Sequence, residues 1–169
     1  MKQLILFLLL GTCNTLFAQH TKLIQEAMNN YDYEKAIMLI DKEQPTTELL
    51  FQKGKALKSL GRNAEALHTF RQIIAGDSLN QRAFIEAAEC CKQSAKYQDA
   101  LKYYQKAIDI HPDNKYVRIQ YISLLCNLQQ YEEAFGETAY NSYTDVLYVF
   151  PDNICENLLP VMRNRYIST

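Results

Sequence analysis

Residues 81–114 read QRAFIEAAECCKQSAKYQDALKYYQKAIDIHPDN, and this stretch decides the fold. It contains two amphipathic helical runs, because apolar and small residues recur every three or four positions in each. The runs are joined at Ser94-Ala95-Lys96, and the second is stopped by Pro112, which cannot continue a helix. The stretch therefore predicts a helical hairpin with an apolar stripe on each helix.

The hairpin recurs along the chain with a period of 34 residues. Gly54 stands one period before Ala88, and both are small residues where two helices would pass closely. Because one hairpin cannot bury its apolar stripe alone, the repetition predicts a stack in which neighbouring hairpins cover each other. An alanine of the second helix recurs with the same period, after a shortened first copy: Ala36, Ala66, Ala100 and Ala134.

These repeated positions resemble the tetratricopeptide repeat (TPR) family, whose signature is W-x2-L-G-x2-Y followed by A, F and P at set intervals. No copy carries the tryptophan, and Arg118 replaces an aromatic or aliphatic residue in the last copy. The resemblance implies an all-α fold: an α-solenoid of about three to four stacked antiparallel helix pairs, forming a right-handed superhelix with a concave groove. In residues 81–114 the matching positions are Phe84, Ala87, Ala88, Cys91, Ala100, Tyr104, Ala107 and Pro112.

The predicted domain boundaries follow the repeats, with a leader at 1–18 and the array at 19–136. Residues 137–169 break the pattern, and three interpretations of them stay open. They form an irregular cap over the last repeat, they form a docking surface for a partner, or they result from truncation or shift of a longer array. The array itself divides into a short first repeat at 19–46, full repeats at 47–80 and 81–114, and a partial repeat at 115–136.

The leader has the layout of a secretory signal peptide, with Lys2, an apolar run and then Ala18 before Gln19. Its apolar run is shorter than the roughly 20 residues that span a bilayer. We therefore expect cleavage after Ala18 and export to the periplasm or the medium. Two alternatives stay open. The segment ending in Cys13 resembles a lipobox, so that a lipid on Cys13 would tether the protein to the envelope, or an uncleaved leader packs on the array.

The resemblance also implies that the first helix of each repeat lines the groove, where a peptide or protein segment would bind. Apolar residues in the middle and basic residues around them would suit an extended or helical peptide with apolar anchors and some acidic character. A solvated helix face with scattered apolar residues is the other interpretation. The predicted partner-binding residues are Phe51, Lys55, Lys58, Arg82, Ile85, Glu89, Lys92, Tyr116, Ile119 and Ser123.

One family-specific site is not implied. Family members that bind the acidic C-terminal tail of chaperones use a lysine–asparagine clamp in the groove. Phe51 and Lys55 stand at the two clamp positions in this sequence. We therefore do not expect the clamp here.

Composition argues against several other classes of function. A net charge of −1 argues against nucleic acid as the main partner, because phosphate binding needs a concentrated basic surface. The glycines are isolated, and His20, His68 and His111 lie in different repeats without catalytic or ligand spacing. Cys90 and Cys91 are neighbours in a helical run, which favours small buried hydrophobes over disulfides or a metal site. We expect no enzyme activity, no cofactor, no metal and no small-molecule substrate.

Two hypotheses of function follow. In the first, the protein is a non-enzymatic scaffold or adaptor that binds a peptide or protein segment in the groove of its array. In the second, it is an N-terminal structural fragment of a larger exported envelope protein with further repeats.

Overall fold

The computed structural model of the protein describes residues 19–131, 133, 134 and 136. All regular secondary structure in these residues is α-helical, which confirms the predicted all-α solenoid of helix pairs. The predictions for 1–18 and 137–169 lie outside the described residues. The helices are α1 (19–29), α2 (Tyr33–Ile40), α3 (Thr47–Ser59), α4 (Asn63–Gly76), α5 (Gln81–Gln93), α6 (Tyr97–Ile110) and α7 (Lys115–Asn127), and the described positions from 131 to 136 are helical as well.

The described chain divides into two compact units, one ending at Ser78 and the other beginning at Leu79. In the first unit α3 packs against α2 and α4, and in the second unit α6 packs against α5 and α7. Within each unit, these helices are neighbours both in sequence and in space, as expected for a repeat architecture. A small core in the first unit joins the middle of α1 and the end of α2 to the start of α3 through Ile24, Leu39, Ile40 and Leu49.

The turn inside each hairpin has the same backbone geometry. Its central residue adopts a left-handed conformation, with φ between 57° and 75°. In the turn after α3, the N–H of Gly61 donates to the carbonyl of Lys58 and the N–H of Arg62 donates to the carbonyl of Leu57. These two bonds form a Schellman motif, which ends the helix and reverses the chain. The left-handed residues are Tyr31, Gly61, Ala95 and Gln129, so three of the four turns lack the glycine that usually marks this motif.

The starts of the first helices are also repeated. Asn80 and Asn114, one period apart, accept a hydrogen bond on the side-chain oxygen from the N–H three residues later, at 3.1 and 3.3 Å. Such caps satisfy donors that have no partner within the helix. Thr46 caps α3 in the same way, at 3.2 Å from the N–H of Leu49. The helix preceding Asn114 ends at Ile110, before Pro112, as the sequence predicts.

A side-chain amide ties the second unit together. Nε2 of Gln81, at the start of α5, donates to the carbonyl of Ala107 near the end of α6, at 2.8 Å. Its Oε1 accepts from Nδ2 of Asn114, the cap of α7, at 2.9 Å. One residue therefore links the ends of three helices by hydrogen bonds.

Arg118, which departs from the family pattern, has a structural explanation. Its side chain is buried, and Nη2 donates to the carbonyl of Pro112 at 2.8 Å. The aliphatic part of an arginine can fill an apolar site while its guanidinium bonds elsewhere. Arg118 thus occupies the core position of an apolar residue and secures the link between α6 and α7.

Small residues allow the two helices of a pair to approach closely. At Gly54, on α3, an added methyl group would lie 2.5–3.0 Å from ring atoms of Phe70 on α4. Phe70 is completely buried and also packs against Phe51, with ring centroids 5.9 Å apart. The ring of Phe70 therefore fills the space that a side chain at Gly54 would need. The alanines predicted at the other tight positions are fully buried: Ala36, Ala66, Ala88, Ala100 and Ala134.

We expect Gly54→Ala to lower the free energy of unfolding by up to about 2 kcal/mol. Displacing the buried ring of Phe70 costs roughly 1–3 kcal/mol, and the better helix propensity of alanine offsets about 1 kcal/mol of it. Gly76→Ala is the matched control, because a methyl group there would meet nothing within 4 Å. Urea denaturation of both variants checks the prediction, which fails if Gly54→Ala is as stable as the control.

Candidate functional site

The predicted partner-binding residues fall in both units. Phe51, Lys55 and Lys58 belong to the first unit. Phe51 is only 3% exposed, so the prediction that its ring lines an open surface is wrong. Because Gly54 has no side chain, the ring of Phe70 lies over it, and Phe51 packs against that ring. Lys55 is exposed and Lys58 is half-buried.

In the second unit, residues of α5 and α7 form a surface that we call the α5–α7 face. On each helix its members lie three, four, seven or ten positions after the first one, so they lie on one side of the helix. Nζ of Lys92 on α5 donates to Oε1 of Gln120 on α7 at 3.1 Å, which joins the two helices. The α5–α7 face consists of Arg82, Ile85, Glu86, Glu89 and Lys92 from α5 and Tyr116, Ile119, Gln120 and Ser123 from α7.

The apolar residues of this face are accessible to different degrees. Tyr116 is 55% exposed, which is high for so large an apolar side chain. Ile85 and Ile119 are half-buried. A tyrosine of this kind offers a broad apolar ring at little cost in conformational entropy, which is why tyrosines are enriched at protein interfaces.

Four side chains form a polar network, which we call the Glu89 cluster: Glu89, Lys92, Tyr104 and Gln120. The hydroxyl of Tyr104, on α6, donates to Oε1 of Glu89. The same oxygen accepts from Nζ of Lys92 at 3.1 Å. The ammonium also lies 5.9 Å from the centre of the Tyr104 ring, within the range of a cation–π interaction.

The pairing of Lys92 corrects the expected charge of the face. The sequence predicts Lys92 as one of the positive groups around an apolar strip. Its ammonium is instead held by the Glu89 carboxylate, so the two charges offset each other. Arg82 is exposed at the other end of α5.

The sequence did not reveal the role of the Tyr104 hydroxyl, although a signal was present. One repeat earlier, Phe70 and Lys55 stand at the positions of Tyr104 and Glu89. Of these two repeats, the one with a hydroxyl in its core is also the one with a carboxylate acceptor at the facing position. Comparing the pair Phe70 and Lys55 with the pair Tyr104 and Glu89 would have suggested the hydrogen bond, because a buried hydroxyl needs a partner.

Burial raises the pKa of the Tyr104 hydroxyl well above its ordinary value, and the hydrogen bond to Glu89 and the nearby carboxylates raise it further. Tyr104 is completely buried, so its ionised form would lose hydration and face the negative charge of Glu89. The hydroxyl of Tyr104 therefore remains a donor over the whole physiological pH range.

We expect this pKa shift to make stability fall above about pH 10, the pKa of an ordinary tyrosine. Above that pH the unfolded chain releases the Tyr104 proton while the folded chain keeps it, so the unfolded state is favoured as pH rises. Each such proton changes the free energy of unfolding by about 1.4 kcal/mol per pH unit. Tyr104→Phe should therefore lose stability less steeply than the wild type between pH 10 and 11 in urea titrations.

Tyr97→Phe is the control for this experiment, because it removes an exposed hydroxyl at the start of α6. It should follow the wild-type pH dependence. Identical slopes for the wild type and Tyr104→Phe would contradict the assignment.

Three cysteines of the described residues lie in the second unit. The side chains of Cys90, Cys91 and Cys126 are buried, and burial is what the sequence predicts for Cys90 and Cys91 as small hydrophobes. Within the described residues, no group of three or more His, Cys, Asp or Glu side chains could hold a metal ion. None of the helices in this part of the chain has the length and apolar character needed to cross a membrane.

Two sequence models of the tetratricopeptide repeat match the chain, one at residues 47–75 and the other at 92–134. The matched segments contain most of α3 and α4 and the region from the end of α5 through α7. Residues 47–75 and 92–134 therefore match the tetratricopeptide repeat in sequence. No curated protein matches the sequence.

Solved structures share the TPR fold at low sequence identity. A tetratricopeptide repeat protein from Parabacteroides merdae has a TM-score of 0.70 at 17% identity, covering 89% of this chain and 61% of that one. MamA from Desulfovibrio magneticus RS-1 has a TM-score of 0.64 at 16% identity, covering 72% and 71%. The first TPR of Spaghetti, bound to an HSP90 peptide, has a TM-score of 0.61 at 16% identity, covering 66% and 92%. At these identities the likeness establishes the fold alone.

Proposed function

We propose that this TPR protein is a scaffold or adaptor that binds a segment of another protein on the first helices of its repeats. The observation that carries the proposal is the α5–α7 face, where the exposed ring of Tyr116 lies on the same face as the half-buried Ile85 and Ile119. Apolar rings with polar groups beside them are typical of the residues that dominate binding energy at interfaces.

The comparison with Spaghetti supports the same proposal, since that protein holds a peptide on the same fold. Lys55 and Lys58, on α3 of the first unit, stay a separate prediction for that unit. Phe51 is withdrawn from the predicted partner-binding residues, because its side chain is in the core. We further propose that the protein acts by binding and contributes no chemistry of its own.

Replacing Tyr116 by Ala should weaken partner binding about five- to thirtyfold, because an exposed aromatic anchor is worth about 1–2 kcal/mol at an interface. The wild-type protein is used as bait on native envelope extract, and the proteins that it retains are identified. The affinity of each retained protein is then measured for the wild type, for Tyr116→Ala and for a control variant. Tyr97→Ala is the matched control, because Tyr97 is also exposed but is the first residue of α6, outside the α5–α7 face. Equal binding by Tyr116→Ala and the wild type would rule out the α5–α7 face.

We also propose that residues 1–18 direct export and are removed. The support is the basic, apolar and small-residue layout of the sequence. Mass spectrometry of the protein from its native cells should then show a mature N-terminus at Gln19. A lipid-modified N-terminus at Cys13 would instead establish the envelope tether, and a retained Met1 would contradict both forms of processing. The alternative of a fragment from a larger envelope protein stays a prediction.

A further inference from the structure

The Glu89 cluster uses only part of its hydrogen-bonding capacity. Both contacts of the Glu89 carboxylate are made by Oε1. Gln120 uses its carbonyl oxygen to accept from Lys92. Among the contacts of the described residues, none engages Oε2 of Glu89 or Nε2 of Gln120. One acceptor and one donor of the cluster are thus available on the α5–α7 face.

The cluster also fixes the direction of these two groups. Because the Lys92 ammonium can only donate, the amide of Gln120 must turn its oxygen towards Lys92 and its NH2 group away. Glu89 is held by the hydroxyl of the fully buried Tyr104, which is anchored in the core. Groups held in this way bind a ligand at a smaller entropic cost than free side chains would.

The chemistry of the open groups indicates what they bind. A ligand that satisfies both must supply a donor to Glu89 and an acceptor to Gln120. The main chain of an extended peptide offers both, since each residue except proline carries one N–H and one carbonyl. The partly exposed Ile85, Ile119 and Tyr116 are on the same face and suit an apolar side chain of that peptide.

The charge of the cluster argues against an acidic ligand at this position. The positive charge of Lys92 is already offset by Glu89 at 3.1 Å. Glu86 is a second carboxylate near the Tyr104 hydroxyl. A carboxylate on the ligand would therefore meet two negative groups and one cation that is already paired, which is unfavourable.

We propose that the Glu89 cluster binds the main-chain amides of an uncharged, apolar stretch of the partner, through Oε2 of Glu89 and Nε2 of Gln120. This inference rests on the proposed function and specifies its ligand. It replaces the acidic peptide that the sequence alone suggests with a neutral one at this part of the face.

Three small probes with the same leucyl side chain test the proposal on the full chain: N-acetyl-leucine N-methylamide, N-acetyl-leucine, and leucine N-methylamide. The first is neutral, the second is an anion and the third is a cation at pH 7. Each is titrated to about 50 mM against ¹⁵N-labelled protein, and the NMR signals of the Gln120 side-chain NH2 group and of the α5 and α7 backbone are followed. The neutral probe should give saturable shifts at these signals and bind about fivefold more tightly than the anion, the equivalent of about one hydrogen bond.

The variant Gln120→Met keeps an unbranched side chain but removes the donor. It should bind the neutral probe about fivefold more weakly, whereas Gln93→Met, at the exposed end of α5, should bind it like the wild type. The wild-type comparison of the three probes needs no variant, so the test does not depend on how well Gln120→Met folds. Preference for the anion, or no saturable shift with the neutral probe, would overturn the inference.

The two proposals fail in different ways. Loss of partner binding in Tyr116→Ala together with preference for the anionic probe would contradict the assignment of a neutral ligand to the Glu89 cluster. The proposed binding of a partner on the α5–α7 face would still hold. Selective binding of the neutral probe together with unchanged partner binding by Tyr116→Ala would show that the cluster accepts a neutral peptide group, but would contradict the proposal that the partner binds on the α5–α7 face.

Discussion

The contact between Phe70 and Gly54 determines how closely the helices of the first full repeat can pack. A glycine in the middle of a helix is intrinsically unfavourable by about 1 kcal/mol relative to alanine, so its presence needs a compensating gain. The gain here is the complete burial of an aromatic ring against α3. That ring also draws Phe51 into the core, so one close contact decides which residues of α3 remain at the surface.

The next repeat has the same architecture with different chemistry. Ala88 and Tyr104 occupy the positions of Gly54 and Phe70, and the buried ring now carries a hydroxyl. The hydroxyl reaches Glu89, and Glu89 in turn holds Lys92, which reaches Gln120 on the next helix pair. The replacement of phenylalanine by tyrosine at this core position thus accompanies a different set of polar groups on the α5–α7 face.

Much of this fold could be predicted from the spacing of small residues. The period of 34 residues placed the helix pairs, and the alanines at 66, 100 and 134 are buried as expected. Side-chain positions on the surface were harder to predict, because periodicity identifies a helix face but not the neighbours of each residue. Phe51 was assigned to the groove by register, although the adjacent ring of Phe70 holds it in the core. Lys92 was counted as a free charge, since its pairing depends on three residues from different helices.

The hydrogen bond between Tyr104 and Glu89 has a consequence for how such arrays evolve. Repeats arise by duplication, and each copy then changes by single substitutions. A tyrosine at position 70 would place its hydroxyl near Lys55, which cannot accept a hydrogen bond, and a glutamate at position 55 would face a phenylalanine ring. Neither change alone recreates the pair, so conversion of one repeat into the chemistry of the other requires two coupled steps. Repeats with the same backbone can therefore diverge in binding specificity, and one repeat then acquires the specificity of another only slowly.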